Sequence, residues 1–288
     1  MTKEKKQNIM CRNEFLIRGR ELSMFSPAEV AKNYIQTGKA KANNSFMKLL
    51  ILGILAGAFI ALAGVGATTA AVSVKSASVG KFLGACVFPC GLSMVLLAGS
   101  ELFTGNNLII IPVLSGDVPL CRMLRNWVIV YIGNFIGSVI VAFLAVYGKT
   151  GDLFGGMDSG LAAAMLNAAS GKVNLNFSSA FLRGICCNFL VCIAVWISFA
   201  AKDVVGKFWG LFMPIMLFVL CGFEHCVANM YYVPAGLFVK YLYGADAANL
   251  TWGSFIVKNL IPVTLGNIVG GAGLVGLPYW FVYLRENK

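Results

Sequence analysis

The stretch that most constrains this chain is Gly222-Phe223-Glu224-His225-Cys226-Val227-Ala228-Asn229, which sets the only histidine beside a carboxylate inside an apolar run from Phe208 to Leu242. A run of that length is long enough to cross a bilayer. An ionisable pair at that depth costs several kcal/mol unless it faces a cavity or a partner, so the default reading is a functional site inside a membrane. The plainer reading is a histidine that only hydrogen-bonds neighbouring helices.

Composition agrees with a membrane setting. The chain is 58% hydrophobic and 12% charged, against roughly 45% and 25% for soluble domains. Its 288 residues suffice for several spans of about 20 residues and leave no room for a separate soluble domain. The net charge of +11 is dispersed and accompanies no nucleic-acid-binding motif, so no nucleic acid partner is expected. Seven of the nine cysteines lie in apolar runs without C-x-x-C or Cys/His metal spacing. They read as small lipid-compatible side chains, and neither a metal nor a cofactor is expected. Lys3, Lys5, Lys6, Arg12, Arg18 and Arg20 have no apolar segment close behind them, which speaks against a cleaved signal peptide.

Residues 1–25 form a polar tail without helical period. Ser26-Pro27-Ala28-Glu29 is a capping box with proline at the first helical position, and it predicts a helix over 26–44. Lys32, Lys39 and Lys41 on its polar face suggest a cytoplasmic amphipathic helix along the membrane surface, or a plain solvated one. Residues 45–285 hold six apolar segments, at about Phe46–Val74, Phe82–Leu114, Trp127–Tyr147, Ala180–Ala201, Phe208–Leu242 and Phe255–Tyr283. The second is interrupted at Gly99–Asn107, and Gly148 to Asn176 reads as a long polar connection. An even number of spans puts both termini on one side. That side collects sixteen Lys and Arg and the other seven, so both termini are expected in the cytoplasm of a cell with this protein in its inner or plasma membrane.

The two interrupted segments match. Gly99-Ser100-Glu101 corresponds to Gly222-Phe223-Glu224, Asn106 to Asn229, and Gly133-Asn134-Phe135-Ile136-Gly137 to Gly266-Asn267-Ile268-Val269-Gly270. Each half is three spans with a broken second span, and an odd count inverts one half relative to the other. The expected fold is therefore an all-α integral membrane protein of six transmembrane helices in two inverted three-helix repeats. Broken helices free backbone groups that must line a cavity or be packed inside protein. Half-helix N-termini favour an anion, and with His225 they make a small anion the first substrate class.

At these residues the chain resembles a known family. Gly99 to Thr104 (GSELFT), Gly222 to Met230 (GFEHCVANM) and Ile261 to Gly271 (IPVTLGNIVGG) resemble signatures of the formate/nitrite transporter family, and the resemblance spans Ser26 to Arg285. It implies a homopentamer of aquaporin-like protomers, each with its own pore, passing small monovalent anions such as formate, nitrite or hydrosulfide. It implies Thr104 and His225 as the central pair, and Leu92, Leu102 and Phe218 as one hydrophobic constriction, with Phe88 and Phe103 in the apolar lining. Lys172 resembles a vestibule lysine that draws anions in, Asn188 and Asn267 resemble pore asparagines, and Glu101, Glu224 and Asn229 resemble supports of the site. The helix at Ser26 to Ala42 resembles a segment whose position, in some members, varies with pH.

On this reading Lys172 concentrates the anion, the His225 and Thr104 centre stabilises or protonates it, and the neutral acid passes the apolar rings. A histidine suits proton exchange near neutral pH. Formate is the first choice of substrate, with nitrite or hydrosulfide next and a proton as the co-substrate. A water or glycerol channel would want Asn-Pro-Ala at its breaks, and neither break has proline beside asparagine. An enzyme built on Cys226 and His225 is disfavoured because adjacent helical positions point about 100° apart. An ion-coupled carrier with alternating access stays open.

Overall fold

A computed structural model of the chain describes residues 24–285; the polar tail lies almost wholly outside the described residues. Among the described residues, ten helices of ten residues or more follow in order. They are α1 Pro27–Asn43, α2 Phe46–Ala71, α3 Ala77–Leu97, α4 Gly105–Leu114, α5 Leu120–Tyr147, α6 Leu161–Val173, α7 Phe177–Ala200, α8 Val204–Leu220, α9 Cys226–Tyr243 and α10 Trp252–Tyr283. Helices α2, α3, α5, α7 and α10 are each long and apolar enough to cross a membrane. The remaining apolar segment is divided into α8 and α9 at the break around His225. Large apolar side chains such as Ile51, Leu55, Leu62, Val128, Ile132, Ile140 and Met213 face outward, the exterior a bilayer covers.

The inverted repeat is visible in the packing. Helix α2 crosses α5 in the first half and α7 crosses α10 in the second. Both crossings are made through glycine: a methyl on Gly133 would lie 2.8 Å from the Leu50 carbonyl, and one on Gly184 would lie 2.8 Å from the Val263 carbonyl. Close backbone approach of this kind is how spans associate where the hydrophobic effect offers no drive. Each half-helix ends on a glycine in the left-handed region, Gly99 at φ 84° and Gly222 at φ 69°, a conformation in which a Cβ is strained.

Two expectations need correction. Residues 148–176 are not merely a polar connection. They contain α6, whose Leu161, Ala162, Met165, Ala169 and Val173 are buried, and which packs on α9. The apolar positions recur at helical spacing, but intervening Gly, Ser and Asn residues dilute them. Nor does α1 lie free along a surface. It buries Val30, Ala31, Tyr34, Gly38 and Ala42, and a methyl on Gly38 would sit 2.6 Å from Pro112 Cγ of α4. Its apolar stripe covers protein.

The capping box of α1 is formed: Glu29 Oε2 accepts from the Ser26 N–H at 2.7 Å and from its hydroxyl at 2.8 Å. These bonds hold the Glu29 carboxyl below its ordinary value, the backbone bond first. A carboxylate depressed in the folded state stabilises above its unfolded pKa and loses that contribution as pH falls through the folded value. Acidification below about pH 4 is therefore expected to speed hydrogen exchange at the first-turn amides of α1, and Glu29→Gln to remove most of that pH dependence.

Candidate functional site

Each break is held by one asparagine from the last span of its half. In the first, Asn134 Oδ1 accepts from Phe103 N at 2.9 Å, and its Nδ2 donates to the carbonyls of Gly53 at 2.8 Å and Glu101 at 2.9 Å. In the second, Asn267 Oδ1 accepts from Cys226 N at 2.9 Å, while Nδ2 donates to Gly184 at 2.8 Å and Glu224 at 3.0 Å. The bonds to Phe103, Glu101, Cys226 and Glu224 satisfy backbone groups that a broken span would otherwise strand, and those to Gly53 and Gly184 tie each loop to a neighbouring span.

A second bracket repeats around the two glutamates. Lys41 Nζ lies 2.9 Å from Glu101 Oε2, and Asn106 Nδ2 donates to that same oxygen at 2.6 Å and to Asn126 Oδ1 at 2.9 Å. On the opposite side Lys172 Nζ reaches both Glu224 oxygens at 3.0 and 3.1 Å, and Asn229 Nδ2 donates to Glu224 Oε2 at 2.6 Å and to Asn259 Oδ1 at 2.8 Å. The carboxylates are neutralised by these lysines, as charges at such depth must be. Helices α1 and α6 deliver Lys41 and Lys172, so the two short helices are counterparts.

The breaks meet at His225 and Thr104, which are 3% and 0% exposed. His225 caps α9: its Nδ1 accepts from Ala228 N at 3.0 Å. An imidazole nitrogen that accepts carries no proton, so the neutral ring's hydrogen is on Nε2. That Nε2 lies 2.9 Å from Thr104 Oγ1, which therefore accepts and keeps its own hydroxyl hydrogen for another partner. The imidazole stacks on Phe218, with ring centroids 5.8 Å apart.

Three cavities follow one another through shared wall residues. On the Lys172 side, a cavity of about 390 Å³ is lined by Lys81, Lys172, Arg183, Glu224 and Tyr232, with Phe88, Phe218 and His225 also in its wall. Phe88 and Phe218 meet edge to face at 5.6 Å. Behind them a void of about 10 Å³ is bounded by Phe88, Leu92, Leu102, Phe218 and His225. On the Lys41 side, a cavity of about 30 Å³ is lined by Leu92, Leu102, Tyr34, Lys41 and Asn106. The centre is thus closed by two apolar rings, Phe88 with Phe218 and Leu92 with Leu102.

A sequence profile of formate/nitrite transporters matches residues 28–281. The chain belongs to the formate/nitrite transporter family. It is similar to the probable formate transporter of Methanothermobacter thermautotrophicus, at 40% identity over 92% of this chain and 99% of the relative. It is similar as well to the formate channel FocA of Haemophilus influenzae, at 40% identity over 88% and 92%. Among solved structures, a pentameric formate channel with formate bound superposes with a TM-score of 0.73 at 37% identity, over 83% of this chain and 98% of that one.

Within this formate/nitrite transporter, the expected residues divide by position. His225, Thr104, Phe88, Leu92, Leu102 and Phe218 gather at the centre, and Lys172 and Glu224 border the large cavity. Phe103 turns away from the pathway, with its ring against Tyr131 at 4.9 Å and Trp127 at 6.0 Å. That corrects its placement in the lining: successive residues of the break loop point in different directions. Asn188 spends its Nδ2 on the Asn267 carbonyl at 2.7 Å, Asn107 Oδ1 at 2.8 Å and the Thr104 carbonyl at 3.3 Å. Asn188, Asn267 and Thr104 are all absent from the walls of the three cavities; the asparagines brace the loops, and Thr104 adjoins the pathway through its bond to His225. Lys41, Asn126 and Asn259 escape a reading of motifs alone, although extending the repeat outward from the breaks reaches all three.

Proposed function

We propose that this chain is a channel for small monovalent anions, formate first and nitrite or hydrosulfide next, assembled as a homopentamer in the plasma membrane with both termini cytoplasmic. The reading is carried by one observation, the buried His225 Nε2 to Thr104 Oγ1 hydrogen bond at 2.9 Å between two apolar rings. A bare anion loses its hydration in such rings at a cost far above thermal energy. The Thr104 hydroxyl, polarised by His225, offers it a donor between the two rings. Formate is favoured because relatives at 40% identity carry that substrate in their names, and the pentamer because a formate-bound channel of similar fold is pentameric. The bias of sixteen basic residues against seven supports cytoplasmic termini, which sets the Lys172 cavity outside.

With Nδ1 engaged by Ala228 N, a proton added to His225 would break the helix cap. In this role His225 is a neutral donor, and a proton that accompanies the anion comes from water in the cavity. An incoming anion meets Lys172 and Glu224, passes Phe88 and Phe218 as the rings part, exchanges hydration for the Thr104 hydroxyl, and leaves past Leu92 and Leu102 toward Lys41. The deciding experiment is uptake into proteoliposomes of formate, nitrite and hydrosulfide in parallel, at several pH values. Saturable flux of one anion that rises with acidity is expected; flux of water or uncharged solutes alone would overturn the assignment.

A further inference from the structure

The large cavity holds more positive charge than its pairing requires. Lys81, Lys172 and Arg183 all line it, and Glu224 is the only carboxylate in its wall. Lys172 takes both Glu224 oxygens. Among the described residues, the ion pairs are Lys39–Asp117, Lys41–Glu101 and Lys172–Glu224, which leaves Lys81 and Arg183 without an acid. Both sit within spans: Lys81 is in the second turn of α3 and Arg183 in the second turn of α7. Cations so placed face water-filled cavities because hydrocarbon does not solvate them.

We propose that Lys81 and Arg183 form a second anion subsite at the mouth, separate from the His225–Thr104 centre, which loads the pathway with a carboxylate before it reaches the apolar ring. Two uncompensated, exposed cations at the open mouth of a cavity raise the local concentration of anions. Arg183 adds what a lysine cannot, a planar fork that takes both oxygens of a carboxylate at once. The cavity's about 390 Å³ accommodates a hydrated anion, and its net charge of two suits a small dicarboxylate better than a monocarboxylate. Such a dianion fills the mouth yet has two charges to shed at the ring, so it blocks where formate passes. Arg183 is tied to the break itself, since its carbonyl accepts from Glu224 N at 3.3 Å.

The choice of formate rests on the reading above, and the test separates the two. Lys81→Gln and Arg183→Gln are compared with wild type in proteoliposomes for formate flux against concentration, and in detergent for the melting-temperature rise given by malonate. Lys75→Gln, an exposed charge outside the cavity, serves as control. Each cavity variant is expected to raise the half-saturating formate concentration five- to tenfold, with the loss concentrated there rather than in limiting flux, and to abolish the malonate shift. Arg183→Lys is expected to recover only part of both effects, which also shows that the position tolerates change. An unchanged half-saturation in both Gln variants, or a malonate shift that survives them, overturns the proposal. Should wild type carry no formate while the malonate shift still depends on both residues, the subsite stands and the transport reading falls.

Discussion

His225→Asn is expected to lower formate flux roughly ten- to a hundredfold while leaving the fold intact. Asparagine is a good N-cap, and its Oδ1 can take the Ala228 N–H that His225 Nδ1 now accepts. It is too short to span the 2.9 Å contact that Nε2 makes with Thr104 Oγ1. The polarised donor between the rings is lost, and a hydrogen bond to a charged group contributes about 1.5–3 kcal/mol, which at about 1.4 kcal/mol per decade gives that range. Thr104→Val, an isostere without the hydroxyl, should fall by a similar factor. The pH profile is the sharper readout. If His225 is a neutral donor, acidification raises flux with the same slope in wild type and variant, because the slope belongs to the protonation of formate. A variant that loses the slope would identify His225 as the proton source and overturn the neutral-donor role.

Asn267→Leu should destabilise the protein by about 2–6 kcal/mol. The substitution strands two buried groups of the break, the Cys226 N–H and the Glu224 carbonyl, and each unsatisfied group costs about 1–3 kcal/mol. Asn134 makes the matching bonds in the first half, so Asn134→Leu should cost the same within error. Equilibrium unfolding in mixed micelles measures both. A mild Asn267→Leu beside a severe Asn134→Leu would show that the two breaks are not equivalently held.

The sequence made much of this legible because its signals are local. The glutamate and histidine inside an apolar run mark the second break, and Gly99 and Gly222 mark where each half-helix must stop. The capping box at Ser26 and Glu29 names its own helix. What escaped depends on contacts between distant segments. Lys41 looks like one more lysine on a polar face until α1 is seen to carry it to Glu101, 60 residues away. Asn188 looks suited to a pore until its amide is found bonded to Asn107, Asn267 and Thr104. Helix α6 is hidden because its apolar stripe is short, and Phe103 because loop residues have no period from which a direction can be read.

Turning the molecule over exchanges one half for the other and leaves the frame around the centre nearly unchanged: asparagine, glutamate and lysine return to equivalent places. The exceptions lie where the loops touch. His225 stands where the first half has Leu102, and Thr104 where the second has Val227. A pathway framed this way carries no direction in its backbone. Any preference for influx over efflux has to arise from those unequal positions and from the unequal cavities of about 390 and 30 Å³, so rectification is a property of a handful of side chains that can be exchanged without redesigning the scaffold.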